Sequence, residues 1–161
     1  MSRTLTSFAL VAVLTGLLMA LCLAVGRHGY PFGALGAKRL DEIANAATFI
    51  PLAAIYFFSA MLMMVLPIRA AGMVLKNAAD PLFWTVVILF ATIVGTVAAQ
   101  WAFGQRQAPW VLWNWRFLFV AVVAAGHLCI NEFRRNILLR SLAVVVFTAA
   151  TLACLFWTFS L

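Results

Sequence analysis

Charged residues fall in bunches along this sequence. The bunches separate five stretches that carry no Asp, Glu, Lys or Arg: 4–26, 43–68, 81–105, 117–131 and 141–161. Within these stretches the residues are apolar on every side, as in Ala143-Val144-Val145-Val146-Phe147. The strands of a membrane barrel would instead alternate polar and apolar side chains. A helix needs about 20 apolar residues to cross the hydrocarbon, because that core is roughly 30 Å thick and each residue rises about 1.5 Å. The pattern predicts an all-α, polytopic integral membrane protein. It is read as a single transmembrane domain, 1–161, with about five transmembrane helices near 5–25, 45–66, 82–103, 112–130 and 141–160. The fourth uncharged stretch is short and has to recruit 111–116.

Punctuation refines these bounds. The run from Gly26 to Gly36 is rich in Gly and Pro and reads as a loop. Asp80-Pro81 reads as the start of the third helix, with Asp80 as cap and Pro81 in the first turn. Pro51 falls one or two turns into the second helix and predicts a kink, and Pro67 marks that helix's end. The first stretch lacks a small-x-small cleavage site and reads as a retained helix.

Composition agrees with lipid as the solvent. The chain is 66% hydrophobic and 9% charged, more apolar surface than a soluble domain of this size could bury. The net charge of +7 sits at the ends of the apolar stretches, where basic residues meet headgroups. Nucleic acid is excluded as a partner, since binding it needs a contiguous basic face. With the N-terminus cytoplasmic, Arg3, Arg69, Lys76, Arg134, Arg135 and Arg140 lie inside. Arg27, Lys38, Arg39, Arg106 and Arg116 then lie outside, which favours this orientation by a small margin. The membrane expected is a bacterial inner membrane. Cys22, Cys129 and Cys154 have neither CxxC nor CxxCH spacing, so no dithiol centre or covalent heme attachment is indicated.

One segment stands out. Trp101, Trp110, Trp113 and Trp115 place four of the six tryptophans within 15 positions. An aromatic belt at the headgroup level explains two or three of them. The functional reading is an outer platform that stacks on a flat aromatic ligand or on a partner.

Here the sequence resembles the CcmC and CcsA type of heme-handling proteins of cytochrome c maturation. These carry a tryptophan-rich segment, W-G-x-x-x-W-W-x-W-D, between two transmembrane helices. Trp110-Val111-Leu112-Trp113-Asn114-Trp115-Arg116 is similar to that motif, and Gly95–Trp101 to the helix end leading into it. Phe49-Ile50-Pro51-Leu52-Ala53 is similar to the family's V-H-V-P-A-A helix entry. The likeness covers roughly 43–161. Asn114 is the nearest polar residue to the motif's aspartate, Phe49 stands where the family has a histidine, and a later histidine-bearing helix has no counterpart before Leu161. The resemblance implies heme as a cofactor. The candidate contacts to heme or lipid are Trp110, Trp113, Trp115, Arg106, Arg116 and His28: tryptophans for stacking, arginines for propionates or lipid phosphates, and His28 as an axial ligand.

Other residues read as structural. His127, near the inner end of the fourth predicted helix, is expected to bond a neighbouring helix or the Glu132 region. Met61, Met63 and Met64 read as packing, and Gly16, Gly95 and Gly126 as points of close helix approach. The four acidic residues are placed in loops, which argues against a proton-coupled pump or an intramembrane hydrolase, and Glu132 is expected to pair with Arg135. The leading expectation is a non-catalytic membrane subunit that packs against and stabilises a larger complex, a heme-containing one among the candidates, or a homo-oligomer. The alternatives are a heme-handling protein with an outer tryptophan platform, and a small-molecule or lipid transporter.

Overall fold

The computed structural model describes residues 2–43 and 45–160. Leu161, where the fifth uncharged stretch ends, lies outside them. Regular structure among the described residues is helical: α1 (Ser2–Arg27), α2 (Pro31–Ile43), α3 (Phe49–Val65), α4 (Ile68–Val74), α5 (Asp80–Ala102), α6 (Leu118–Arg135) and α7 (Ile137–Ser160). Short 3-10 turns occur at Ala46–Thr48, Ala108–Trp113 and Trp115–Phe117, and a π-turn at Leu75–Ala79.

Among the described residues, four helical segments are long and apolar enough to cross a membrane: Arg3–Arg27, Ile68–Ala102, Trp115–Arg135 and Ile137–Phe159. The expected count of five is thus corrected to four. The second expected span is α3, whose 17 residues reach only about 25 Å. Ten of those residues are buried, so its all-round apolar character matches that of a core helix. The third expected span begins earlier than expected. Asp80 does not cap it but has helical angles (φ −63°, ψ −49°) and donates its N–H to the Leu75 carbonyl, five residues back. The π-turn carries the helix from α4 into α5, past Pro81, whose missing N–H would otherwise end the ladder. The fourth span shifts C-terminally, since 3-10 turns occupy the chain up to Phe117.

By their contacts the elements gather into two compact units. The first comprises Met1–Ala46 and Val87–Trp115. In it α1 meets α5 where Gly16 and Gly95 face each other. A Cβ on Gly95 would run into the Ala12 carbonyl and the Thr15 hydroxyl. α2 folds back on the end of α1, where a Cβ on Gly33 would strike the Gly26 nitrogen and the Cys22 carbonyl. The expected loop is therefore short, and Pro31 opens a helix because its missing N–H is not needed at that position. Gln100 donates to Asp41 at 3.3 Å, and the Arg27 guanidinium donates to the Phe103 carbonyl while lying 4.9 Å over the Phe103 ring.

The second unit comprises Ala47–Val86 and Arg116–Leu161. α3 is its core and packs chiefly on α7 and α6. Phe49, Ile50, Ala53, Tyr56, Phe57, Ala60, Met63 and Met64 are all buried. Pro51 is the third residue of α3, so it removes no ladder bond and the predicted kink has no cause there. Leu66 and Pro67 end the helix as expected. Asn136 alone separates α6 from α7, and its side chain accepts the Leu138 N–H at 3.1 Å, which caps α7. Gly126 has room for a methyl group, since a Cβ there would lie 3.7 Å from Tyr56 and Phe147.

Candidate functional site

Five of the six residues singled out in the sequence lie in the first unit, and four of those five come from one loop. α5 ends in a Schellman motif. Gly104 sits at φ +96°, the Gln105 N–H reaches back to the Gln100 carbonyl at 3.0 Å, and the Gly104 N–H reaches Trp101 at 3.0 Å. The chain then makes successive tight turns: Ala108 N–H to Gln105, Trp110 N–H to Gln107 and Asn114 N–H to Val111. Side chains three apart eclipse in a 3-10 turn, which places Trp110 and Trp113 side by side on one face. They are 73% and 83% exposed. Trp115 follows in the next turn and Arg106 is exposed at the loop's start. His28 is exposed just past α1, next to the Arg27 that is fastened to Phe103, so it lies at the end of this unit where the loop begins. Arg116 is half-buried and belongs to the second unit.

Trp110 and Trp113, three residues apart on one 3-10 turn, offer exposed indole surface, and Arg106 offers a cation. His28 is the one imidazole of this unit.

The second unit holds a polar chain that the sequence reading missed. The Tyr56 hydroxyl lies 3.1 Å from His127 Nδ1, and His127 Nε2 lies 3.2 Å from Asp80 Oδ1. A carboxylate only accepts, so Nε2 carries the proton toward Asp80 and Nδ1 accepts from the Tyr56 hydroxyl. Phe83 stacks flat on the imidazole, with centroids 4.2 Å apart and planes within 7°. Tyr56 is fully buried, whereas the Asp80 side chain is 44% exposed. The chain thus runs from the core to a half-exposed carboxylate and ties α3, α6 and the start of α5 together. His127 does bond neighbouring helices, as expected, and these bonds engage both of its ring nitrogens. Asp80 belongs to a continuous helix, not to a loop as expected. The available signal was the pairing of a lone Tyr and a lone His within apolar stretches, each needing a polar partner.

At one end of the second unit, Arg140 donates to the carbonyls of Met64, in the last turn of α3, and of Leu66, just past it. The expected Glu132–Arg135 ion pair does not form, and the acid–base pairs among the described residues are Arg39–Glu42 and His127–Asp80. No group of three His, Cys, Asp or Glu among the described residues is arranged to hold a metal. No known family model, curated protein or solved structure matches this chain.

Proposed function

We propose that this chain is a multi-pass membrane protein without catalysis of its own, a subunit that packs against and stabilises a larger membrane assembly. The observation that carries this reading is α6. Ala121, Ala125 and Cys129 recur every fourth residue and are exposed, so a stripe of small side chains stands uncovered on a helix long enough to cross a membrane. Lipid chains need no such stripe, whereas a partner helix approaches closely along one. Leu10, Leu14, Leu17 and Leu21 of α1 are exposed as lipid-facing side chains would be. α2 carries exposed Phe32 and Leu35 beside Lys38 and Arg39, a composition suited to the headgroup level. In this reading the basic end of α6 and α7 faces the cytoplasm, which with four crossings puts the N-terminus on the other side, the reverse of the orientation expected from five.

The test is purification of the tagged chain from carbonate-washed membranes in mild detergent. A stoichiometric partner, or a defined homo-oligomer, is expected with the wild type and lost with Ala125→Phe, whose exposed site leaves the fold intact. A monomer unaffected by Ala125→Phe would refute the subunit role.

A second reading has its own observation, the paired Trp110 and Trp113 face with Arg106 in the same loop. There the chain handles heme: the indoles stack on the macrocycle, Arg106 meets a propionate, and His28 supplies the imidazole. The iron chemistry would be the cofactor's own. A Soret band in the chain purified alone, reduced by Trp113→Ala and by His28→Ala, is expected under this reading. A colourless chain after heme reconstitution would eliminate it.

A further inference from the structure

The second unit carries a cavity of about 300 Å³ where α3 ends, α4 begins, α6 ends and α7 begins. Met63, Leu66 and Ile68 line one part of it. Asn131, Arg134, Arg135 and Arg140 line the rest. Residues at i, i+3 and i+4 share a helix face, so Asn131, Arg134 and Arg135 enter the cavity together from α6. Glu132 is about 100° round the helix from Asn131, and no acidic residue lines the cavity.

The three arginines differ in their engagement. Arg140 is anchored by two of its nitrogens on the Met64 and Leu66 carbonyls. Its guanidinium is therefore held in place without its charge being neutralised, since carbonyls are dipoles. Arg134 and Arg135 make no hydrogen bond or ion pair with any described residue. Three positive charges thus converge on one hollow whose lining holds no anion, while Glu132 lines the adjoining hollow with Arg135 without pairing to it. Guanidinium groups bind phosphate oxygens through paired N–H donors, the geometry that best compensates such a cluster. The apolar side matters too. Ile68 is 81% exposed and Leu66 lies beside it, so the hollow offers glycerol or acyl carbon a surface next to the charge. Basic pockets between helices on the cytoplasmic side recognise anionic headgroups by this combination.

We propose that this cavity is a binding site for a phosphate oxyanion, with Arg134 and Arg135 as its unengaged donors and Arg140 as its anchored one. The oxyanion arrives either on an anionic glycerophospholipid or as free phosphate, and the lipid source rests on the membrane reading above. Carbonate extraction tests that reading separately. If the chain were released, the inorganic phosphate arm would still report on the site.

The experiment uses the full chain in nonionic detergent. Native mass spectrometry and thermal shift are measured with dioleoyl phosphatidylglycerol, dioleoyl phosphatidylcholine and inorganic phosphate. Phosphatidylglycerol is expected to bind at least about tenfold more tightly than phosphatidylcholine, whose choline cation opposes the arginines. R134Q/R135Q is expected to weaken phosphatidylglycerol binding by about tenfold or more. R135E, a single exposed change, should weaken it as well, so a poorly folding double variant leaves the test intact. R69Q/K76Q removes two cations that do not line the cavity and should bind as the wild type does. Phosphatidylglycerol binding without a phosphate response assigns the lipid headgroup, and a phosphate-induced shift abolished by R134Q/R135Q assigns the free ion. Equal binding by wild type and R135E, or equal loss in R69Q/K76Q, would overturn the site.

Discussion

Replacing His127 by Leu probes the polar chain of the second unit. The imidazole accepts the Tyr56 hydroxyl at 3.1 Å, meets Asp80 at 3.2 Å and stacks on Phe83 at 4.2 Å. Side-chain hydrogen bonds inside membrane proteins average about 0.6 kcal/mol and reach about 1.7, so two of them contribute roughly 1–2 kcal/mol. The larger effect is on Tyr56, whose hydroxyl is fully buried. Leaving it unpaired costs about 1–3 kcal/mol. Asp80 adds little, because its half-exposed carboxylate rehydrates. Leucine recovers much of the apolar contact with Phe83. The expected loss is about 2–4 kcal/mol. Tyr56→Phe alone removes one bond and should cost about 0.5–1.5 kcal/mol. In the double variant the orphan hydroxyl is gone, so its loss should fall short of the sum of the singles by about 1–2 kcal/mol. Reversible unfolding in mixed micelles titrated with sodium dodecyl sulfate measures all three. Strict additivity, or a His127→Leu loss under about 0.5 kcal/mol, would refute the reasoning.

Three further changes probe other contacts. Gly95→Val drives a side chain into the Ala12 carbonyl and the Thr15 hydroxyl. It should destabilise the first unit by about 1–3 kcal/mol, read as a lower melting temperature, with Gly95→Ala milder. Arg140→Gln loses the donors to Met64 and Leu66 and should cost about 1–3 kcal/mol. Faster hydrogen exchange at the Arg140 end of α7, with exchange at Gly95 unchanged, is the localised readout. The exposed Trp110 and Trp113 pair should dominate quenching by lipids brominated near the headgroup. W110F/W113F should therefore lose more of that quenching than W84F does.

Much of the architecture was legible in the sequence, because apolar runs in this chain are long and charge marks their ends. The C-terminal end of α1 and the stop at Leu66-Pro67 follow from such local signals, whereas α7 begins four residues before the expected 141 and takes Arg140 into the helix. α3 was misread as a span because a helix buried in protein and one buried in lipid are both apolar all round. Only its 17-residue length separates them. Asp80-Pro81 misled for a related reason. The pair reads as a helix start, but a π-turn lets the helix continue through a proline, and no local residue type announces that geometry. The tryptophan loop was visible as composition, while the eclipsed placement of Trp110 and Trp113 required the 3-10 turn. The Tyr56–His127–Asp80 chain joins residues 71 and 47 positions apart, so only tertiary structure reveals it.

The π-turn also bears on how this sequence can change length. It makes the segment from Ile68 to Ala102 one residue longer than a regular helix joining the same ends. Each residue of an α-helix turns the chain by about 100°. Deleting one residue from Leu75–Ala79 would restore regular pairing and swing α4 by that angle around the axis relative to Asp80. Asp80 would then keep its imidazole partner only if α4 left its place beside α3, or the reverse. A deletion of the same size in the loop after Gly104 merely reshapes a turn. Among descendants of this sequence, insertions and deletions are therefore expected to accumulate in that loop and to spare these five positions.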